Sequence, residues 1–210
     1  MKSMTKKEAM AALRGKCVAL IRFDDFDTAK AVAHAVAEAG IGAIEVTFTV
    51  KDAPRLIREL NDEFGNDVLV GAGTVLSAQQ VESAYENGAD FVTSPCILPE
   101  VGAACKRLDL LCSMGAATAN EAYQSYLAGS DLIKLFPGSS IDPDFIEAVK
   151  APLPFLEFMP TDGVDYSNIG HWFESGAYAV GIGSYLTAGI DKDHLTEAAS
   201  RCKLLLNAIK

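Results

Sequence analysis

Short apolar runs begin near Val18, Ala43, Val68, Phe91, Leu110, Leu132, Phe155 and Ala179, each followed by a polar or Gly/Pro turn and then a helical pattern. The runs are too short for helices and too uniformly apolar for half-exposed strands, so they read as strands buried on both faces. Helical spacing covers 28–39, 53–64, 77–87, 99–107, 119–127, 143–150, 166–175 and 195–209. Gly40, Gly65, Gly88, Gly129 and Gly176 close several of these stretches, where a left-handed residue ends a helix at least cost. Strand and helix alternating about every 20 to 25 residues imply a parallel sheet, because parallel neighbours need a crossover between them. Eight such units predict an α/β fold, a single (β/α)8 TIM barrel spanning 1–210 as one domain. A further N-terminal helix is expected over 5–14, where Thr5 and Glu8 have capping-box spacing. An open doubly wound sheet is the alternative, although no GxGxxG turn follows the first strand.

Half of the 210 residues are apolar, enough to fill a sizeable core, and the net charge is −10. Such a balance lacks the basic stripe that neutralises phosphates, so no nucleic-acid partner is expected. No apolar run is long enough to cross a bilayer, and no signal-peptide centre precedes Arg14, so no membrane partner is expected either. The five cysteines are scattered without CxxC spacing, which suits reduced thiols, and the three histidines are equally dispersed. These features predict a cytoplasmic protein with no metal.

In a barrel of this kind chemistry gathers at the C-terminal ends of the strands. There the sequence places Arg22, Glu45, Thr47, Gly71, Gly73, Thr74, Thr93, Ser94, Pro95, Lys134, Thr161, Asp162, Gly163, Gly181, Gly183 and Ser184. Lys134 interrupts an apolar run, with Leu132, Ile133, Leu135 and Phe136 around it, and is therefore expected inside the fold. A buried ammonium is costly unless it is paired or sheds its proton, and a neutral amine is a nucleophile. Pairing with a buried carboxylate, or snorkelling to a strand end, is the alternative to nucleophilic chemistry.

Six stretches together carry a resemblance: IEVTF around Glu45, VGAGTVLS over 70–77, TSP over 93–95, IKLFPGS around Lys134, FMPTDGV over 158–164 and GIGSYL over 181–186. They resemble the KDPG/KHG aldolase family, the class I pyruvate aldolases of 2-keto-3-deoxy-6-phosphogluconate and 4-hydroxy-2-oxoglutarate. The resemblance implies a (β/α)8 barrel, usually a homotrimer, that cleaves a 4-hydroxy-2-keto acid reversibly to pyruvate and an aldehyde without a cofactor. Lys134 matches the Schiff-base lysine and Glu45 the general acid/base. Arg22 resembles the carboxylate-binding arginine of the phosphogalactonate branch, Gly73 and Thr74 would add donors, and Pro95 would pack on the pyruvyl methyl. Thr161, Asp162, Gly163, Gly183 and Ser184 match the turns that hold the far end of the substrate.

Two positions depart from the family pattern. Thr49 stands where the KDPG members carry an arginine, and Asp162 replaces a glycine of their PTGG turn. A carboxylate there opposes a phosphate dianion, which suggests an unphosphorylated acceptor unless Asp162 points into solvent. Structural alternatives accompany the other assignments: an ion pair of Glu45 with Lys134 or Arg22, and a rim salt bridge of Arg22 with Asp24, Asp25 or Asp27. A sugar-phosphate epimerase or isomerase on the same barrel, and a non-catalytic keto-acid-binding protein, are the alternative functions.

Overall fold

The structure, a computed structural model, describes residues 4–209; residues 1–3 and 210 of the expected domain lie outside the described residues. The chain runs α1 (Lys6–Leu13), β1 (Cys17–Ile21), α2 (Phe26–Glu38), β2 (Ala43–Thr47), α3 (Ala53–Phe64), β3 (Leu69–Gly73), α4 (Ala78–Glu86), β4 (Phe91–Ser94), α5 (Pro99–Arg107) and β5 (Leu111–Ala116). It continues through α6 (Ala119–Leu127), β6 (Leu132–Leu135), α7 (Phe145–Lys150), β7 (Phe158–Pro160), α8 (Ile169–Glu174), β8 (Val180–Ile182), α9 (Ser184–Thr187) and α10 (Leu195–Ala208). A 3₁₀ turn over Gly138–Ser140 follows β6.

All eight strands are parallel and lie in the order β7-β6-β5-β4-β3-β2-β1-β8. Between β7 and β8 a single Thr161–Gly181 bridge and the Tyr178 N–H to Phe158 C=O bond (2.8 Å) bring the edges together, so the barrel is nearly closed. The strand period of two divides the apolar residues into two sets. Ile21, Val46, Val70, Val92, Met114, Ile133, Phe158 and Ile182 pack outward against the helices. Val18, Leu20, Ala43, Leu69, Phe91, Leu111, Leu132 and Met159 fill the interior with Ala9 and Leu13 of α1. Helix α1 therefore plugs the N-terminal end of the barrel, held by the Tyr178 hydroxyl donating to Met10 C=O at 2.7 Å. The expected Thr5–Glu8 capping box starts it.

The helix-closing glycines behave as anticipated: Gly40, Gly65, Gly88, Gly129 and Gly176 all have positive φ. Three expectations shift. The seventh strand begins at Phe158 rather than near Phe155, which is 49% exposed with its ring against Tyr126 of α6. The helix expected over 166–175 shortens to Ile169–Glu174, and Trp172 within it is buried as packing. Phe136 lies beyond the end of β6 and is 37% exposed rather than buried in the strand. The thiols are free, and burial pushes those of Cys17 and Cys202 up to about 12 and about 11, so both stay protonated and unreactive. No helix among the described residues is long and apolar enough to cross a membrane.

Candidate active site

Strands β2 and β6 stand four places apart in an eight-stranded ring, so inward side chains at matching height meet near its axis. Glu45 and Lys134 occupy those positions. Lys134 Nζ lies 3.3 Å from Glu45 Oε1 and 3.3 Å from Thr93 Oγ1 of β4, with Lys134 3% and Glu45 0% exposed. The structural ion pair anticipated for Glu45 is thus formed with Lys134 and not with Arg22, yet it is built sparingly. Glu45 Oε2 is buried without a hydrogen-bond partner among the described residues. A buried pair offsets its desolvation only when the remaining donors and acceptors are satisfied. This one holds unused hydrogen-bonding capacity at the floor of a cleft, as a reacting pair requires.

The room for Glu45 comes from β3. A methyl group on Gly73 would sit 2.1 Å from Glu45 Oε1, and one on Gly71 would sit 2.3 Å from the Phe91 ring. Both glycines are therefore steric necessities of a narrow barrel filled by a carboxylate and an aromatic ring.

Above the pair opens a cleft of about 380 Å³, lined by Leu20, Arg22, Thr74, Pro95, Lys134, Phe136, Thr161, Asp162, Gly183, Ser184 and Thr187. Eight of the residues singled out from sequence are on this wall. Glu45 lies beneath it, Gly73 is beside Glu45 rather than on the wall, and Gly163 is outside it, its backbone packed on Ser139. A groove between α2 and α10 is larger, about 470 Å³, but it collects no buried charges and is lined by surface residues of two helices. Among the described residues no group of three His, Cys, Asp or Glu side chains gathers as a metal-binding cluster.

Arg22 donates from Nη2 to Thr74 Oγ1 at 3.1 Å. The alternative rim salt bridge is not formed among the described residues; Asp25 and Asp27 pair with Lys192 at 3.5 Å each. Thr49, at the departure noted above, is exposed and bonded to Thr47 at 2.7 Å, so the guanidinium in this cleft belongs to β1. Thr74 has φ +56, a strained conformation for a β-branched residue costing about 1–3 kcal/mol. The Val75 N–H to Thr93 C=O bond (3.0 Å) and the Phe48 N–H to Gly73 C=O bond (2.8 Å) hold the backbone there. Asp162 also has positive φ, +75, and its Oδ2 accepts from Ser139 Oγ at 2.7 Å. Two strained non-glycine residues thus face one cleft.

Sequence reasoning placed Thr93 at a strand end without giving it a role, read Phe136 as part of a buried strand, and gave Ser139, Leu20 and Thr187 no role. Thr93 was recoverable, since it shares inward parity with Phe91 on β4. Thr187 was not, because α9 is a single short turn without a periodic signal.

A (β/α)8 barrel with a buried amine and carboxylate beneath a polar cleft is the frame of a lyase as well as of other enzymes, and comparison with known proteins decides between them. The family model for KDPG and KHG aldolase matches residues 9–199. The 2-dehydro-3-deoxy-6-phosphogalactonate aldolase of Escherichia coli (strain K12) is 33% identical over 170 residues, covering 80% of this chain and 83% of that protein. A solved structure described as native KDPGal is similar with a TM-score of 0.84 and 30% identity, covering 99% of this chain and 97% of the other. Similar to the same degree, TM-score 0.84 and 30% identity over 92% of this chain and 71% of the other, is a chain of a cube-shaped protein cage designed by fusing symmetric oligomeric domains. The chain belongs to the KDPG and KHG aldolase family. It is an aldolase, a lyase by class.

Gly73→Ala would set a methyl against Glu45 Oε1, Cδ and Cγ, so this buried side chain has to move and some stability is lost with it. Aldol cleavage by the folded variant is expected to lose about a hundredfold or more in kcat/KM, with a lowered urea midpoint. Wild-type activity in this variant would mean that the placement of Glu45 is unimportant.

Proposed function

We propose that this aldolase cleaves a 4-hydroxy-2-keto acid, of the 2-keto-3-deoxy sugar-acid or 4-hydroxy-2-oxoglutarate kind, reversibly to pyruvate and an aldehyde through a Schiff base on Lys134. The observation that carries the reading is the buried Lys134–Glu45 contact at 3.3 Å, opening onto a cleft with one arginine at its rim. Relatives named for 2-keto-3-deoxy sugar-acid cleavage support it.

In this mechanism the substrate carboxylate pairs with the Arg22 guanidinium, a planar fork matched to two oxygens, and Thr74 adds a hydroxyl. Pro95 packs against C3. Attack by the neutral Lys134 amine on C2 forms a carbinolamine, and Glu45 relays the amine proton to the departing hydroxyl, which leaves as water. The resulting iminium draws in the electron pair of the C3–C4 bond while the C4 hydroxyl gives up its proton, freeing the aldehyde. The enamine is then protonated at C3, and water hydrolyses the iminium to release pyruvate and the amine. Glu45, with one oxygen unpartnered, serves each proton transfer directly or through water; Thr93 keeps Nζ in line.

Lys134→Met is expected to abolish pyruvate release from such an acid. Glu45→Gln, which keeps shape and removes the base, is expected to lower kcat by about 10²- to 10⁴-fold. Retained cleavage in Lys134→Met would remove the amine from the mechanism.

The enzyme is further proposed to act in the cytoplasm as a homotrimer. Similarity to a chain used as a symmetric oligomeric building block supports self-association. So does a cluster of exposed apolar residues, Tyr123, Tyr126, Leu127 and Phe155, in which the Tyr126 and Phe155 rings lie 4.9 Å apart. Sedimentation equilibrium should return three protomer masses; a single 22.3 kDa species would refute the trimer.

A further inference from the structure

We infer that the β7–β8 side of the cleft selects an uncharged, hydroxyl-bearing acceptor, so that the substrate is an unphosphorylated 2-keto-3-deoxy sugar acid. The inference rests on the aldolase reading above and narrows it. It also departs from the curated relative, whose name specifies a phosphorylated acid.

The charges in the cleft are few. Its lining holds two cations, Lys134 and Arg22, and the mechanism uses both at the keto-acid end, for C2 and for the carboxylate. The remaining charge is Asp162, in the turn after β7, with Thr161 before it and Ser184 and Thr187 after β8. A phosphate dianion arriving there meets the Asp162 carboxylate while both basic side chains are engaged at the keto-acid end. Like charges a few ångströms apart in a partly dehydrated cleft weaken binding by about one to three powers of ten.

The direction of the hydrogen bonds points the same way. A hydroxyl has one proton to donate and two lone pairs to accept with. Thr161 Oγ1 donates to Met159 C=O at 3.3 Å, Thr187 Oγ1 to Gly183 C=O at 3.2 Å, and Ser139 Oγ to Asp162 Oδ2 at 2.7 Å. Their protons are committed to the protein, so what Thr161 and Thr187 present to a ligand is lone pairs. Asp162 Oδ1, without a partner among the described residues, is a further acceptor. On this side Asp162, Thr161 and Thr187 accept, which suits a ligand that donates; the Ser184 hydroxyl can do either. Sugar hydroxyls donate and a phosphate dianion does not. The Asp162 carboxylate is held in place: its backbone is left-handed, Ser139 pins one oxygen, and the following Gly163 packs so closely on Ser139 that an added methyl would lie 2.6 Å from its Cα.

The test measures initial pyruvate release from both C4 epimers of 2-keto-3-deoxyhexonate, each with and without a 6-phosphate. The enzymes are the wild type, Asp162→Asn and Asp162→Gly. The asparagine variant removes the charge and keeps an acceptor for Ser139; the glycine variant relieves the left-handed strain, so its folding is assured on backbone grounds. Wild type is expected to favour the unphosphorylated acid by about tenfold or more in kcat/KM, and both variants to shift that ratio toward the phosphorylated acid by about tenfold or more. A wild-type preference for the phosphorylated acid, or a ratio unmoved in both variants, overturns the inference and leaves the aldolase reading intact. Pyruvate release from none of the acids overturns the aldolase reading itself.

Discussion

The contact between Lys134 and Glu45 is the interaction on which the rest of the site depends. Neither group has a reason to be inside a barrel on solvation grounds, since removing each from water costs several kcal/mol and the attraction between them repays that only with full hydrogen bonding. Here the bonding is partial: one 3.3 Å contact to each other, one to Thr93, and a carboxylate oxygen left over. The fold tolerates this because the floor beneath is apolar and well filled, with Phe91, Leu111, Leu132 and Met159 packed against the plug of α1. Stability resides at the N-terminal end and chemistry at the C-terminal end, the division of labour that a barrel of alternating strands and helices makes possible.

Strain follows the same division. Thr74 and Asp162 hold left-handed conformations that glycine would adopt more easily, and both face the cleft. Each is fixed by bonds from neighbouring strands and turns, so the backbone carries the cost where a side chain must be aimed. Thr74 accepts from Arg22, whose guanidinium lines the cleft. Asp162, in the turn after β7, is tied to Ser139.

Much of this was legible in the chain itself. The eightfold recurrence pointed to the barrel, because short doubly buried strands with intervening helices leave few topologies, and the interruption of an apolar run marked Lys134 as buried. What was not legible has particular causes. The run at Phe155 reads as strand, yet its ring lies against Tyr126 of α6 and β7 starts only at Phe158, a contact with no local signal. Phe136 looked like a core residue because nothing in the sequence shows that β6 ends one position earlier. Arg22 had two readings, cleft guanidinium or rim salt bridge, and only three-dimensional placement beside Thr74 separates them. The Ser139–Asp162 bond joins turns 23 residues apart and has no local pattern at all.

The central claim is that Lys134 reacts as an amine with a keto acid. Its most direct test is intact mass and peptide mapping after incubation with pyruvate and borohydride, on wild type and on Lys134→Met. The account predicts a single reduced pyruvyl adduct on the peptide containing Lys134, absent from the variant. No adduct, or an adduct on another lysine, would contradict it.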